Sequence, residues 1–285
     1  MGGFTLDDIL AARKQRDSWW TVFFVDPLAC RLALLAANHT SVTPNGLTRL
    51  SILVGFGSAW AFAQDQLVAG AALFYLSFMI DCMDGKVARL KGNGTPFGLW
   101  LDYVGDRIRV LGCAFGIAYG CWRLDVLLAA VGVVVLDMFR YINVSQLNRV
   151  RAASRGMVTT RMGAECLFVE DVLAADPGAN PDLLVSRDER PLVDLQRDFR
   201  ARFPWYDRLR RFLVRHRVRT HMVSGIEFHA AVFVWAPLIG VDAFIPAAAG
   251  AGALLLAFEA ALIYRTWLAA RAIARVVPQR ESLLV

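Results

Sequence analysis

Cysteine is the first thing this sequence is short of. There are five among 285 residues, Cys30, Cys82, Cys113, Cys121 and Cys166, and no two stand in a Cys-x-x-Cys spacing. Most lie in apolar runs, where a thiol behaves as a small hydrophobe, so neither a disulfide framework nor a zinc site is supported. The start, MGGFTLDDIL, lacks the basic and apolar regions of a secretory signal, and Leu6 stands where a myristoylation signal wants Ser or Thr. Gly55 and Gly57 have no strand before them and no third glycine, which excludes a Rossmann loop. Lys and Arg outnumber Asp and Glu by 31 to 25, yet no nucleic-acid-binding motif accompanies them, so nucleic acid is not an expected partner.

Apolar length is what the chain has in abundance. Mean hydropathy is +0.44 with 20% charged residues, which suits a membrane domain joined to polar segments. Six windows meet the requirement of about 20 apolar residues per crossing: 46–65, 67–86, 98–121, 124–145, 222–241 and 243–266. The connections near 64-QDQ-66, 120-GCWRLD-125 and 240-GVDA-243 hold only Arg123, whereas fifteen arginines fall between Arg149 and Arg219. By the positive-inside rule both termini face the cytoplasm, and localisation to the cell membrane follows.

The expected fold class is therefore all-α: a polytopic membrane protein with six transmembrane helices and an N-terminal interfacial amphipathic helix. The expected divisions are 1–42, juxtamembrane; 43–145, helices one to four; 146–221, a polar cytoplasmic insert; and 222–285, helices five and six with a tail. Thr5 reads as the N-cap of a helix over 5–18. The segment 19–37 contains Asp26, Pro27 and Arg31 behind Trp19 and Trp20, a pattern for a helix lying in the interface. In the insert, 174–182 reads as loop. From Leu192 to Leu213 apolar residues recur every three or four positions between arginines, which predicts a basic amphipathic helix on anionic lipid that Pro204 kinks or divides.

The stretch 81-DCMDGKVARLKGNGTPFGLWLDYVGD-106 sets four aspartates at the edge of an apolar run. Asp81 and Asp84 are three apart and Asp102 and Asp106 four apart, so each pair shares a helix face. Unpaired, each carboxylate would cost about 2.5–3.5 kcal/mol at membrane depth. Ordinary salt bridges to Lys86, Arg89 or Arg107 leave unexplained why four acids share one face. Hard divalent cations, Mg²⁺ or Mn²⁺, take such oxygen ligands, and two of them would offset the charge and leave positions for phosphate oxygens. Gly85 and Ala88 allow close approach on that face, and Arg89 offers a fork for a pyrophosphate.

The stretch resembles the signature of the CDP-alcohol phosphotransferase family, also called CDP-alcohol phosphatidyltransferases. That signature is D-x2-D-G-x2-A-R-x8-G-x3-D-x3-D, met here by Asp81, Asp84, Gly85, Ala88, Arg89, Gly98, Asp102 and Asp106. The resemblance extends to the six spans, the N-terminal interfacial helix and the entry to the first span, Thr43, Pro44, Asn45 and Thr48, but not to the insert. It implies a phosphotransferase for substituted phosphate groups, in which a CDP-alcohol such as CDP-diacylglycerol gives its phosphatidyl group to a polar alcohol and releases CMP in phospholipid synthesis. Asp81, Asp84 and Asp102 would hold the metals, and Asp106 would be both ligand and general base. Asn45, Thr48, Gly85, Arg89, Thr95 and Gly98 would meet the CDP-alcohol. A small CDP-alcohol donor with a lipid or glycan hydroxyl is the alternative within the class, and Lys86 in DGKVAR is faintly similar to the choline and ethanolamine transferases. Family members are commonly homodimers. A cation or proton transporter is the rival of another class, but it has no use for Gly85, Ala88, Arg89 and Gly98 at their spacing.

Two further groups are candidates for the acceptor. Glu227 and His229 are ionisable at membrane depth. Arg140, Arg149, Arg151 and Arg155 follow span four, where a phosphorylated acceptor could dock and where positive-inside topology alone would also put arginines.

Overall fold

The computed structural model describes residues 3–176, 179 and 190–276. Over these the chain is mainly helical, with one short parallel strand pair. It groups into two compact units, Met1–Met138 with Arg217–Leu256, and Phe139–His216 with Ala257–Val285.

The first unit is built around α3 (Pro44–Ala63), which packs along both α4 (Leu67–Lys91) and α5 (Pro96–Cys121). Local chemistry sets their ends. Thr43 caps α3 by accepting from Gly46 N at 3.1 Å, and Thr95 caps α5 by accepting from Gly98 N at 2.9 Å, each followed by a proline at the first helical position. Gly92, at φ +62°, closes α4 in the left-handed region and turns the chain towards α5. Apolar area alone does not hold helices together in lipid, where close packing and interhelical hydrogen bonds do so instead. A Cβ on Gly116 would stand 2.5 Å from Ala59 O, so only glycine lets α5 approach α3 there. Ser58 Oγ donates to Gly70 O at 2.7 Å and Ser77 Oγ to Ser51 O at 2.7 Å, joining α3 to α4 twice.

Among the described residues, four helical segments are long and apolar enough to cross a membrane: Thr21–His39, Pro44–Ala63, Leu67–Lys91 and Val241–Ile273. The first covers most of the segment expected to lie in the interface, 19–37. Pro27 costs little because it falls at the start of α2 (Asp26–His39), just after a π-helical turn over Thr21–Val25. Asp26 costs little because Lys86 and Arg217 pair with it. α5 and α6 (Leu124–Met162), which carry charged residues within their apolar stretches, are not among the four. In place of the fifth expected span the apolar helix covers only Gly225–Ile239. At 1.5 Å per residue that is about 22 Å, short of the ~30 Å hydrocarbon core. It comprises α10 (Gly225–Ala230), a π-helical turn over Ala231–Trp235 and α11 (Ala236–Ile239), and the π-turn stands just ahead of Pro237, which lacks an amide for the ladder. At the N-terminus α1 (Leu6–Ala11) is shorter than expected but starts at Thr5, in a capping box with Asp8.

In the second unit, β1 (Leu167–Phe168) pairs in parallel with β2 (Leu192–Val193), and α7 (Val169–Ala175) follows β1. Val158, Phe168, Val193, Leu195 and Ile273 form its core; Ile273 comes from α12 (Phe244–Val276). The basic helix expected from Leu192 is two helices, α8 (Arg197–Arg202) and α9 (Trp205–Arg215), divided at Pro204, and Leu192 belongs to the strand. Most of the loop expected at 174–182 lies outside the described residues.

Candidate active site

Asp81 and Asp84 come from the last turns of α4, and Asp102 and Asp106 from the first half of α5. Asp81, Asp102 and Asp106, all half-buried, each bring a carboxylate oxygen to within 4.8 Å of the others. Asp84 is 8% exposed and accepts a hydrogen bond from Thr48 Oγ1. Ser51 Oγ donates to Asp81 Oδ1 at 3.3 Å. An all-oxygen donor set of this density fits one or two hard divalent cations and suits no thiophilic metal.

The protein carries its own compensation for these charges. Arg109 is 6% exposed and donates to Asp106 Oδ1 through Nη2. Its Nη1 donates to Ser77 Oγ at 3.0 Å and Ser51 Oγ at 3.3 Å, and its guanidinium carbon lies 5.6 Å from the centre of the Phe74 ring. Arg107 Nη2 stands 3.7 Å from Asp106 Oδ2. Of the three cations that could have formed plain salt bridges with the acids, Lys86 turns to Asp26 and Arg89 Nε donates to Ala12 O at 2.6 Å; only Arg107 approaches the cluster.

The residues expected to meet a CDP-alcohol gather at the same helix ends. Asn45 Nδ2 donates to Thr95 Oγ1 at 3.2 Å, linking the starts of α3 and α5, whose dipoles direct partial positive charge there. A Cβ on Gly98 would run into Asn45 Oδ1, and one on Gly85 would lie 3.3 Å from Arg89 Nη1. Both glycines therefore make room for a neighbouring polar side chain.

The acceptor candidates are dispersed. In the first unit Glu227 accepts from Ser224 N at 2.8 Å and Ser224 Oγ at 2.6 Å, a capping box that starts α10. His229 Nε2 lies 2.9 Å from Asp137 Oδ1. In the second unit Arg140 Nε stands 3.9 Å from Glu259 Oε1, Arg149 is exposed, and Arg155 pairs with Asp171 at 2.9 Å. Arg151, Arg155 and Arg265 line a cavity of about 340 Å³ with Asn148, Glu170 and Thr266. Burial and the nearby Arg265 hold the Arg151 guanidinium below its usual range.

Sequence reasoning missed Arg109, Ser51, Ser77 and Asp137. Arg109 was findable, since it stands three residues after Asp106 and thus on the same helix face. The serines and Asp137 carried no comparable signal, for their roles depend on which helices meet.

With this geometry in place, comparison with known proteins gives a consistent result. Residues 41–169 match the family model described as CDP-alcohol phosphatidyltransferase. The archaetidylinositol phosphate synthase of Methanothermobacter thermautotrophicus is 38% identical over 85 residues, 30% of this chain and 40% of that protein. The phosphatidylinositol phosphate synthase of Corynebacterium glutamicum is 43% identical over 68 residues, 24% and 31% of the two chains. A bifunctional IPC transferase and DIPP synthase of Aquifex aeolicus is 45% identical over 65 residues, 23% and 15%. The chain thus spans two fifths or less of the length of each of these relatives.

Proposed function

We propose, from the match of residues 41–169 to the family model described as CDP-alcohol phosphatidyltransferase, that this chain moves a phosphatidyl group from a CDP-alcohol, CDP-diacylglycerol above all, to the hydroxyl of a polar alcohol and releases CMP. The observation that carries the reading is the convergence of Asp81, Asp102 and Asp106 oxygens within 4.8 Å across α4 and α5.

Asp81, Asp84, Asp102 and Asp106 would hold two divalent cations, Mg²⁺ or Mn²⁺. When bound, these neutralise charge on the pyrophosphate and on the departing CMP. Asn45, Thr48, Thr95 and Gly98 shape the donor site at the starts of α3 and α5, and Gly85 with Arg89 receives the pyrophosphate. Arg109 holds Oδ1 of Asp106 and so orients the carboxylate that takes the proton of the acceptor hydroxyl. The acceptor oxygen bonds to the phosphorus, the bond from that phosphorus to CMP breaks, and the proton goes to Asp106.

A phosphorylated polyol is the proposed acceptor. Synthases of inositol phosphate lipids among the relatives support it, as do Arg151, Arg155 and Arg265, which give the chain cationic groups of the kind a phosphate monoester needs. Arg140, Arg149, Glu227 and His229 remain in the proposal as acceptor contacts. The proposed setting is a cell membrane, with both termini and the 146–221 insert in the cytoplasm and two copies per assembly.

The test is CMP release by purified protein with Mg²⁺ or Mn²⁺ over a panel of CDP-alcohols and of phosphorylated and unphosphorylated acceptors. Metal-dependent release that Asp106→Asn abolishes is expected. Release that continues unchanged in that variant sinks the assignment of the base.

A further inference from the structure

Asp137 has no exposed side-chain surface and stands in the apolar run 126-VLLAAVGVVVLDMF-139 of α6. A carboxylate so placed persists only when paired. Its Oδ1 lies 2.9 Å from Arg107 Nη1 and 2.9 Å from His229 Nε2. The other terminal nitrogen of Arg107, Nη2, is the one that stands 3.7 Å from Asp106 Oδ2. One guanidinium is thus shared by two carboxylates, and it sits closer to the one outside the metal set. Oδ1 of Asp106 is already taken by Arg109.

From this geometry we propose that Asp137 is a positioning residue of the metal site, which holds Arg107 away from Asp106 and so keeps Oδ2 open to a divalent cation. The inference rests on the proposed role of Asp106 as a metal ligand. A guanidinium docked on Oδ2 would compete with the cation for the same lone pairs, because Arg binds carboxylates with both N–H arms. Held on Asp137, it lends compensating charge to the cluster without covering the ligand atom. His229, reaching the same Oδ1 from α10, fixes the orientation of Asp137, as second-layer partners do around metal ligands. A plain structural ion pair joining α5, α6 and α10 would also account for the burial of Asp137, but it makes a different prediction for Arg107.

Mn²⁺ binding by the purified full-length protein in nanodiscs, read from the electron paramagnetic resonance of free Mn²⁺, separates the two. Asp137→Asn is expected to weaken Mn²⁺ binding by about tenfold or more. Arg107→Met is expected to bind Mn²⁺ at least as tightly as the wild type, and the double variant to recover most of what Asp137→Asn loses. A purely structural pair predicts loss in all three. Unchanged affinity in Asp137→Asn, or a double variant no tighter than that single one, overturns the inference. If Asp137→Asn does not fold, Arg107→Met decides, since weaker binding than wild type there overturns it equally. Asp102→Asn is the control: unchanged affinity in it overturns the metal reading and this inference together, whereas loss there beside unchanged affinity in Asp137→Asn overturns this inference alone.

Discussion

Lys86 Nζ and Asp26 Oδ1 stand 2.8 Å apart, with 5% of each side chain exposed, and join the motif helix α4 to α2. Arg217 Nη1 reaches the same aspartate at 3.3 Å. Lys86 lies one residue after Gly85 in the motif, yet it faces away from the acid cluster. Its ammonium also donates to Cys82 O at 3.0 Å.

The two halves of this pair should not be equivalent on removal. Asp26→Ala leaves Lys86 buried and uncompensated, which costs about 3–5 kcal/mol for a broken buried pair. Lys86→Met leaves Asp26 with Arg217 and should cost less. Thermal unfolding of the purified variants checks the order. In the same preparation Lys86→Met should keep the wild-type preference among CDP-alcohols, because the side chain does not reach the donor site; a changed preference would restore the weight of the choline-transferase likeness in DGKVAR.

Gly98 carries a sharper prediction. Its missing side chain is the space that Asn45 Oδ1 occupies, and Asn45 in turn meets Thr95. Gly98→Ala should push Asn45 off that contact and splay the starts of α3 and α5. Misplacement by about 1 Å at a substrate-positioning group costs up to ~100-fold. A fall of about 10–100-fold in kcat/KM for the donor is expected, with the unfolding temperature changed little. Wild-type kcat/KM in this variant would remove Asn45 and Thr95 from the donor site.

The parts of this site that were legible in the sequence are those written within one helix. Asp81 with Asp84, and Asp102 with Asp106, are spaced for a common face, and Gly85 and Arg89 ride on the same turns. The pairing of Lys86 with Asp26 spans sixty positions of sequence and needs α2 to lie against α4, so no local pattern announces it. Asp26 within the apolar segment Thr21–His39 is paired by residues of other elements, which the segment's own sequence does not announce. The apolar helix in the region of the fifth expected span is shorter than its window, because Pro237 follows a π-turn and the helix ends at Ile239. Leu192 fits the helical period, but it and Val193 pair with Leu167 and Phe168, a contact that periodicity does not encode.

Glu170 yields a pH dependence whose sign is fixed. It begins α7 in the second unit, and burial, ahead of a backbone hydrogen bond that opposes it and the like charge of Asp194, holds its carboxyl above the ordinary value of 4.5. A carboxyl raised in the folded state holds its proton more tightly there than in the unfolded chain. Its contribution to stability is therefore fully present below the unfolded value and is lost as pH rises through the folded one. Above that window the wild type carries a buried carboxylate whose desolvation is only partly offset by Arg155 and Arg200. Glu170→Gln removes the charge and keeps the shape, so it should unfold at higher temperature than the wild type near neutral pH, and the gap should close as pH falls towards the ordinary carboxylate range. Thermal unfolding of both proteins across that range reads the difference directly. A gap that stays constant with pH would mean that the ionisation of Glu170 does not contribute to stability, and a wild type that is the more stable near neutrality would mean that the arginines of the second unit more than compensate its charge.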